Sequence, residues 1–184
     1  MRRQTRPSST PTPNYDRKSD RCASRAEESC IIRASPLNFD VAGAMGYASS
    51  VGLGMALAQP DRGVIVLDGD GSLLMNLGTL VTTCNLAPTN FIHFVIDNGM
   101  YELPGRVPLP ASSSYNLAGI ARSAGIARSH HFDDVADLRE DMDTLLHEQG
   151  PVFANLKVAP GPSEHFSVTA PLDTARELKG ALGP

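Results

Sequence analysis

The chain has 184 residues, 41% of them hydrophobic, 20% charged and 5% aromatic, which suits one domain with a core of its own and excludes a disordered or fibrous chain. No stretch approaches the roughly 18 apolar residues of a membrane-spanning helix, and three cysteines without C-x-x-C spacing (Cys22, Cys30, Cys84) exclude a secreted disulfide scaffold, so a cytoplasmic protein is expected. The net charge of −4 conceals a basic head, since residues 1–25 hold seven bases against Asp16 and Asp20; the acidic remainder excludes a nucleic-acid-binding surface.

Residues 1–35 read as a poorly defined, basic, Pro/Ser-rich N-terminus without the apolar h-region of a secretory signal, and order is expected over 36–184. Gly43 to Ala58 is small, apolar and free of charge, the composition of a helix buried on most of its circumference. Pro60 and the Asp61-Arg62-Gly63 turn end it. Val64-Ile65-Val66-Leu67 is the apolar run of a strand covered on both faces, stopping at Asp68-Gly69-Asp70-Gly71-Ser72. Leu73 to Leu86 has helical spacing closed by Pro88, and Phe91 to Ile96 is a second buried strand that stops at Asp97-Asn98-Gly99. A Pro-rich connection (Pro104, Pro108, Pro110) follows, then a helix near 116–124, a strand near 127–132 and a helix from Val135 to Glu148. Gly150-Pro151 introduces a last strand over Val152–Val158, and Leu172 to Leu182 closes the chain as a helix. Strands alternating with helices at this spacing predict a three-layer α/β/α domain with a mostly parallel sheet.

In such a sheet all strand C-termini share one edge, and ligands bind beyond it. The two polar glycine turns end strands separated by one helix, so Asp70 and Asn98, 28 positions apart, are expected to face one pocket. Mg²⁺ takes hard oxygen ligands and shares them with phosphates. Asp70 offers a carboxylate, Asn98 an amide oxygen and Met100 a main-chain carbonyl. Gly69 and Gly71 let the backbone approach an anion, and Ser72 with the following helix N-terminus provides donors to it. The expected ligand is a diphosphate held through a divalent metal.

Gly69-Asp70-Gly71-Ser72, followed by Asn98-Gly99 at the end of the next apolar strand, resembles the thiamine-diphosphate motif, which runs from GDG to an Asn. Upstream, Gly43-Ala44-Met45-Gly46-Tyr47-Ala48 resembles the G-x-(Met/Leu)-G-x-A turn of the same enzymes. The stretch is similar to the diphosphate-binding half of thiamine-diphosphate-dependent 2-oxoacid decarboxylases. The phrase GDGSLLMNLG most resembles the sulfopyruvate decarboxylase beta subunit and the C-terminal half of phosphonopyruvate decarboxylase. The resemblance implies a cofactor-binding set of Gly43, Ala44, Met45, Gly69, Asp70, Gly71, Ser72, Asn98, Met100 and Tyr101, with Asp70, Asn98 and Met100 on Mg²⁺. Within it, the Gly43 carbonyl matches the acceptor for the aminopyrimidine amine, and Met45 the apolar side chain that bends the cofactor. It also implies that the catalytic glutamate comes from a separate pyrimidine-binding, alpha-type subunit. No catalytic residue is then expected in this chain, and an α2β2-type assembly acting on a small 2-oxo acid is. In the family's beta subunits a first strand and a Gly-x-x-Ser-Arg-Glu-like turn help to hold the diphosphate; Ser24-Arg25-Ala26-Glu27 is only a faint match.

Other readings of single residues stay open. Asp70 alone also suits a helix cap, Met45 a gap-filling core residue, and Asp68 and Asp97 turn residues rather than ligands. Gly52-Leu53-Gly54 lies inside a helical stretch, which speaks against a dinucleotide fingerprint. His93 reads as a satisfied core residue, His130 and His131 point to opposite faces of a strand, and Cys84 reads as small core. Arg106 is either a surface residue or a contact for an anionic substrate head group, and the resemblance speaks against Glu102 as a substitute for the missing glutamate, because the family's glutamate approaches from the opposite side of the pyrimidine. An acetolactate-synthase-like carboligase fragment and a catalytically silent binding module are the alternative functions.

Overall fold

The computed structural model describes residues 36–41, 44–102, 105–110, 114–161 and 171–182; the expectations for residues 1–35 and for Gly43 lie outside them. In chain order the elements are α1 (Ala48–Ala58), β1 (Val64–Gly69), α2 (Asp70–Met75), α3 (Gly78–Leu86), β2 (Phe91–Asp97), β3 (Met100–Tyr101), β4 (Val107–Pro108), α4 (Leu117–Ser123), β5 (Arg128–Phe132), α5 (Val135–His147), β6 (Val152–Lys157) and α6 (Pro171–Leu182). Among the described residues four strands form a parallel sheet in the order β1-β2-β6-β5.

Side chains alternate across the pleat, and the core divides accordingly. Ile92 and Phe94 of β2 pack with Phe132, Ala154 and Leu156 against Leu138 and Leu145 of α5. On the other face, Val95 and Phe153 meet Leu73, Leu80, Leu117 and Ala121 from α2, α3 and α4. Phe91 and Val66 meet Leu53 and Ala56 of α1. Each fully buried Leu, Ile or Phe stabilises the domain by about 1.5–3 kcal/mol, and their division between two faces makes the three layers. His93 is a satisfied core residue: its Nε2 lies 3.3 Å from Asp68 Oδ2, and its ring stands edge-on to Phe153 at 5.4 Å.

Five local differences from the sequence reading have physical causes. Val64–Leu67, expected to be covered on both faces, is covered on one only: β1 is the end strand among the described residues, and Ile65 and Leu67 are exposed. The first helix begins at Ala48 rather than Gly43, because Gly46 takes φ +89°, left-handed backbone through which a helix cannot run. This helix buries only Ser49, Gly52, Leu53 and Ala56; the elements packed on it, β1, β2 and α3, cover one side. A Cβ on Gly52 would overlap Val66, so glycine is what lets α1 lie close to the sheet. The helix expected over Leu73–Leu86 is two, α2 and α3, because Asn76 leaves the helical region at φ −145° and ψ 50°. Its side chain instead donates to the Gly46 carbonyl at 3.0 Å. The Pro-rich connection contains the antiparallel pair β3–β4, closed by a Leu109 N–H bond to the Gly99 carbonyl at 2.8 Å. Among the described residues no helix is long and apolar enough to cross a membrane.

Candidate functional site

In the β1–β2 register Gly69 stands opposite Ile96, so the turns leaving both strands open onto one cleft. No loop separates β1 from α2: Gly69 ends the strand and Asp70 starts the helix. The cleft, of about 280 Å³, is lined by Met45, Gly69, Asp70, Gly71, Ser72, Ile96, Asn98, Met100, Tyr101 and Glu102. Of the residues expected at a cofactor site, Ala44 is described but is not on that lining, and Gly43 lies outside the described residues. Ile96 and Glu102 are on it without having been assigned a place there. Met45 is 37% exposed, a lining residue rather than core.

Asp70 is the hub. It is buried; Oδ1 accepts the Gly71 N–H at 2.7 Å, and Oδ2 accepts the Gly99 N–H at 2.7 Å and the Tyr115 hydroxyl at 3.4 Å. Burial pushes its carboxyl above the usual range, the Gly99 and Gly71 amides oppose the rise, and neighbouring Asp97 adds to it. Burial, with the charges of Asp70 and Asp97, also raises the Tyr115 phenol, which therefore stays neutral and donates. Lys157 Nζ bonds Asp97 Oδ1 at 2.9 Å, and Asn155 Nδ2 bonds Oδ2 at 3.2 Å, so Asp97 is spent on structure and is absent from the lining. Asp70 has no cationic partner within salt-bridge distance among the described residues.

The upstream turn is tied to this hub. The Gly46 N–H donates to Ser72 Oγ at 3.0 Å, which leaves the Ser72 hydroxyl proton to donate elsewhere. The helix start offers fewer free donors than expected, since the Gly71 N–H is already taken by Asp70. A Cβ on Gly71 would sit 2.7 Å from the Tyr101 ring, whereas one on Gly69 would meet nothing within 4 Å. Gly71 is thus required by the protein's own packing, while the Gly69 backbone is open to close approach. Asn98 Oδ1 accepts the Met100 N–H at 2.9 Å. Arg106, a candidate for an anionic head group, pairs instead with Glu102, its Nε 3.5 Å from Oε2.

This donor set fits a hard divalent cation with a diphosphate. A carboxylate without a countercharge, an amide oxygen and a main-chain carbonyl are oxygen ligands of the kind Mg²⁺ takes, and the Gly69 backbone beside them is open to close approach. Tyr115, Asn155 and Lys157 escaped the sequence reading because they reach Asp70 and Asp97 from 45, 58 and 60 residues away. No local motif marks them.

Residues 28–156 match the family described as thiamine pyrophosphate enzyme, C-terminal TPP binding domain. Sulfopyruvate decarboxylase subunit beta of Methanothermobacter thermautotrophicus is 42% identical over 133 residues, covering 72% of this chain and 68% of that protein. Phosphonopyruvate decarboxylase of Streptomyces viridochromogenes is 38% identical over 144 residues, 77% of this chain but only 36% of the relative, so the chain spans about a third of that protein. A solved Mycobacterium smegmatis structure, described as that of a thiamin diphosphate-dependent enzyme, shares the fold with a TM-score of 0.54 at 24% identity, over 65% of this chain and 23% of that one.

Proposed function

The chain belongs to the thiamine pyrophosphate (thiamine diphosphate) enzymes through their C-terminal TPP-binding domain, related to sulfopyruvate and phosphonopyruvate decarboxylases, and from that premise we propose that it is the diphosphate- and Mg²⁺-binding subunit of a 2-oxoacid decarboxylase. The observation that carries this reading is the meeting of three separate turns, at Met45–Gly46, Gly69–Ser72 and Asn98–Met100, at one cleft, where Gly46 N–H bonds Ser72 and Gly99 N–H bonds Asp70.

In this reading Asp70, Asn98 and the Met100 carbonyl hold the cation, while Gly71 and Ser72 face the diphosphate. Gly43 and Met45 set the cofactor's shape. Bound thiamine diphosphate supplies the electron sink for loss of carbon dioxide. The chain's own part is to bind and orient. The cofactor domain is assigned to 36–184, with the family match beginning upstream of that boundary, at residue 28.

The glutamate that completes catalysis is assigned to a pyrimidine-binding, alpha-type subunit in an α2β2-type assembly in the cytoplasm. Two observations support a partner. The relative from Methanothermobacter is itself a beta subunit. In addition, α1 and α3 contain no Asp, Glu, Lys or Arg, the one charged residue of α2, Asp70, is buried, and Leu57, Met75, Val81 and, just before α1, Tyr47 are exposed, a depletion of charge of the kind found in interface cores.

The experiment is reconstitution. The chain is mixed with a candidate glutamate-bearing subunit, thiamine diphosphate and Mg²⁺, and carbon dioxide release is followed from sulfopyruvate, phosphonopyruvate and pyruvate. Release by the mixture and by neither subunit alone is expected. Acetolactate formation without net aldehyde would move the assignment to a carboligase. Cofactor binding without turnover in any mixture would make the chain a silent module.

A further inference from the structure

Glu102 lies outside the residues assigned to cofactor or metal, yet it lines the cleft, and its Oε1 accepts the Asn98 Nδ2–H at 3.1 Å. The other end of that amide is fixed too, because Asn98 Oδ1 accepts the Met100 N–H. Turning the amide over would set its NH₂ against the Met100 N–H and its oxygen against a carboxylate, two repulsions in place of two bonds. Glu102 is itself anchored. Arg106 Nε stands by Oε2, which has no hydrogen-bond partner among the described residues, and the Gly105 and Arg106 amides both donate to the Glu102 carbonyl at 3.2 Å. Arg106 adopts φ +62° in this loop, left-handed backbone that is uncommon outside glycine.

We propose that Glu102 is a positioning residue that commits the Asn98 nitrogen to the loop, so that Asn98 presents only oxygen to a cation. The inference rests on Asn98 being a metal ligand, as assigned above. A hard divalent cation gains from an amide oxygen and nothing from its NH₂. A side chain that is already oriented also loses less freedom when the ion arrives. Arg106 acts one step further out, as the anchor of Glu102.

The test compares wild type, Glu102→Ala and Glu102→Gln by two readouts. In ¹⁵N-resolved NMR of the cofactor-free chain, the Asn98 side-chain amide protons are expected to be shifted downfield and slow to exchange. They should lose both properties in Glu102→Ala and keep them in Glu102→Gln, whose Oε1 accepts the same bond. In calorimetric titrations with thiamine diphosphate at graded Mg²⁺, Glu102→Ala should raise the Mg²⁺ midpoint roughly three- to tenfold, the worth of one hydrogen bond. Saturating Mg²⁺ should restore cofactor affinity, and Glu102→Gln should stay near wild type. Thermal melts of all three check that the fold persists. Unchanged Asn98 signals in Glu102→Ala, or equal weakening by Ala and Gln, would overturn the proposal. Failure of the underlying site assignment looks different: the NMR responses occur, but wild type, alone or beside a glutamate-bearing partner subunit, takes up no cofactor at any Mg²⁺ concentration, and the positioning role falls with it.

Discussion

The carboxylate of Asp70 accepts the main-chain N–H of Gly99 at 2.7 Å across 29 positions of sequence. The same side chain that is assigned to the metal therefore also joins the turn after β1 to the turn after β2. Asp70→Ala removes both functions. It leaves the Gly71 and Gly99 amides without their acceptor, which should cost about 1–3 kcal/mol of stability in thermal or urea unfolding. It should also abolish Mg²⁺-dependent uptake of thiamine diphosphate, and affinity retained in this variant would remove Asp70 from the site.

Cation binding at Asp70 should be linked to pH. Burial raises its pKa, so in the cation-free chain the protonated form is favoured by folding. The stability this contributes is complete below the ordinary carboxylate pKa and is lost as pH rises through the raised folded value. The cation needs the ionised form, so Mg²⁺ affinity should grow over that same rise and binding should release protons. Calorimetry in buffers of different ionisation enthalpy measures the release; none near the raised pKa would mean that Asp70 does not bear the metal.

Gly71→Ala tests the close packing beneath the cleft. The new Cβ would lie 2.7 Å from the Tyr101 ring and 3.2 Å from Leu109 Cδ2, so Tyr101 or the backbone must move, at a cost of about 1–3 kcal/mol. Because Tyr101 lines the cleft, cofactor affinity should fall together with the melting temperature. A variant that melts lower yet binds the cofactor as well as wild type would confine Gly71 to packing.

Met45 separates a shaping role from a core role. Its exposure predicts that Met45→Ala changes stability by less than about 0.5 kcal/mol. Some cofactor binding should survive while turnover of the reconstituted enzyme drops. Turnover equal to wild type would leave Met45 no part in shaping the cofactor.

The sheet was legible because Val64–Leu67 and Phe91–Ile96 are apolar runs bounded by polar glycine turns, and those turns could only meet at the strand ends. The cleft followed from the same geometry. The break at Asn76 was hidden because the apolar spacing from Leu73 to Leu86 continues on both sides of it. What breaks the helix is a bond to Gly46, 30 residues away. The β3–β4 pair was hidden under prolines, and its two-residue strands are too short for any alternation to show. Glu102, four residues beyond Asn98, sat in plain view, but its use depends on how the loop folds back, which a single sequence does not display.

Whether the cofactor site works through a divalent metal is decided by titrating thiamine diphosphate into the purified chain, first with Mg²⁺ and then with EDTA. A metal-dependent site gives saturable binding with Mg²⁺ that disappears in EDTA and in Asp70→Ala. Binding of equal strength in EDTA, or none with Mg²⁺ even beside a glutamate-bearing partner subunit, would contradict it.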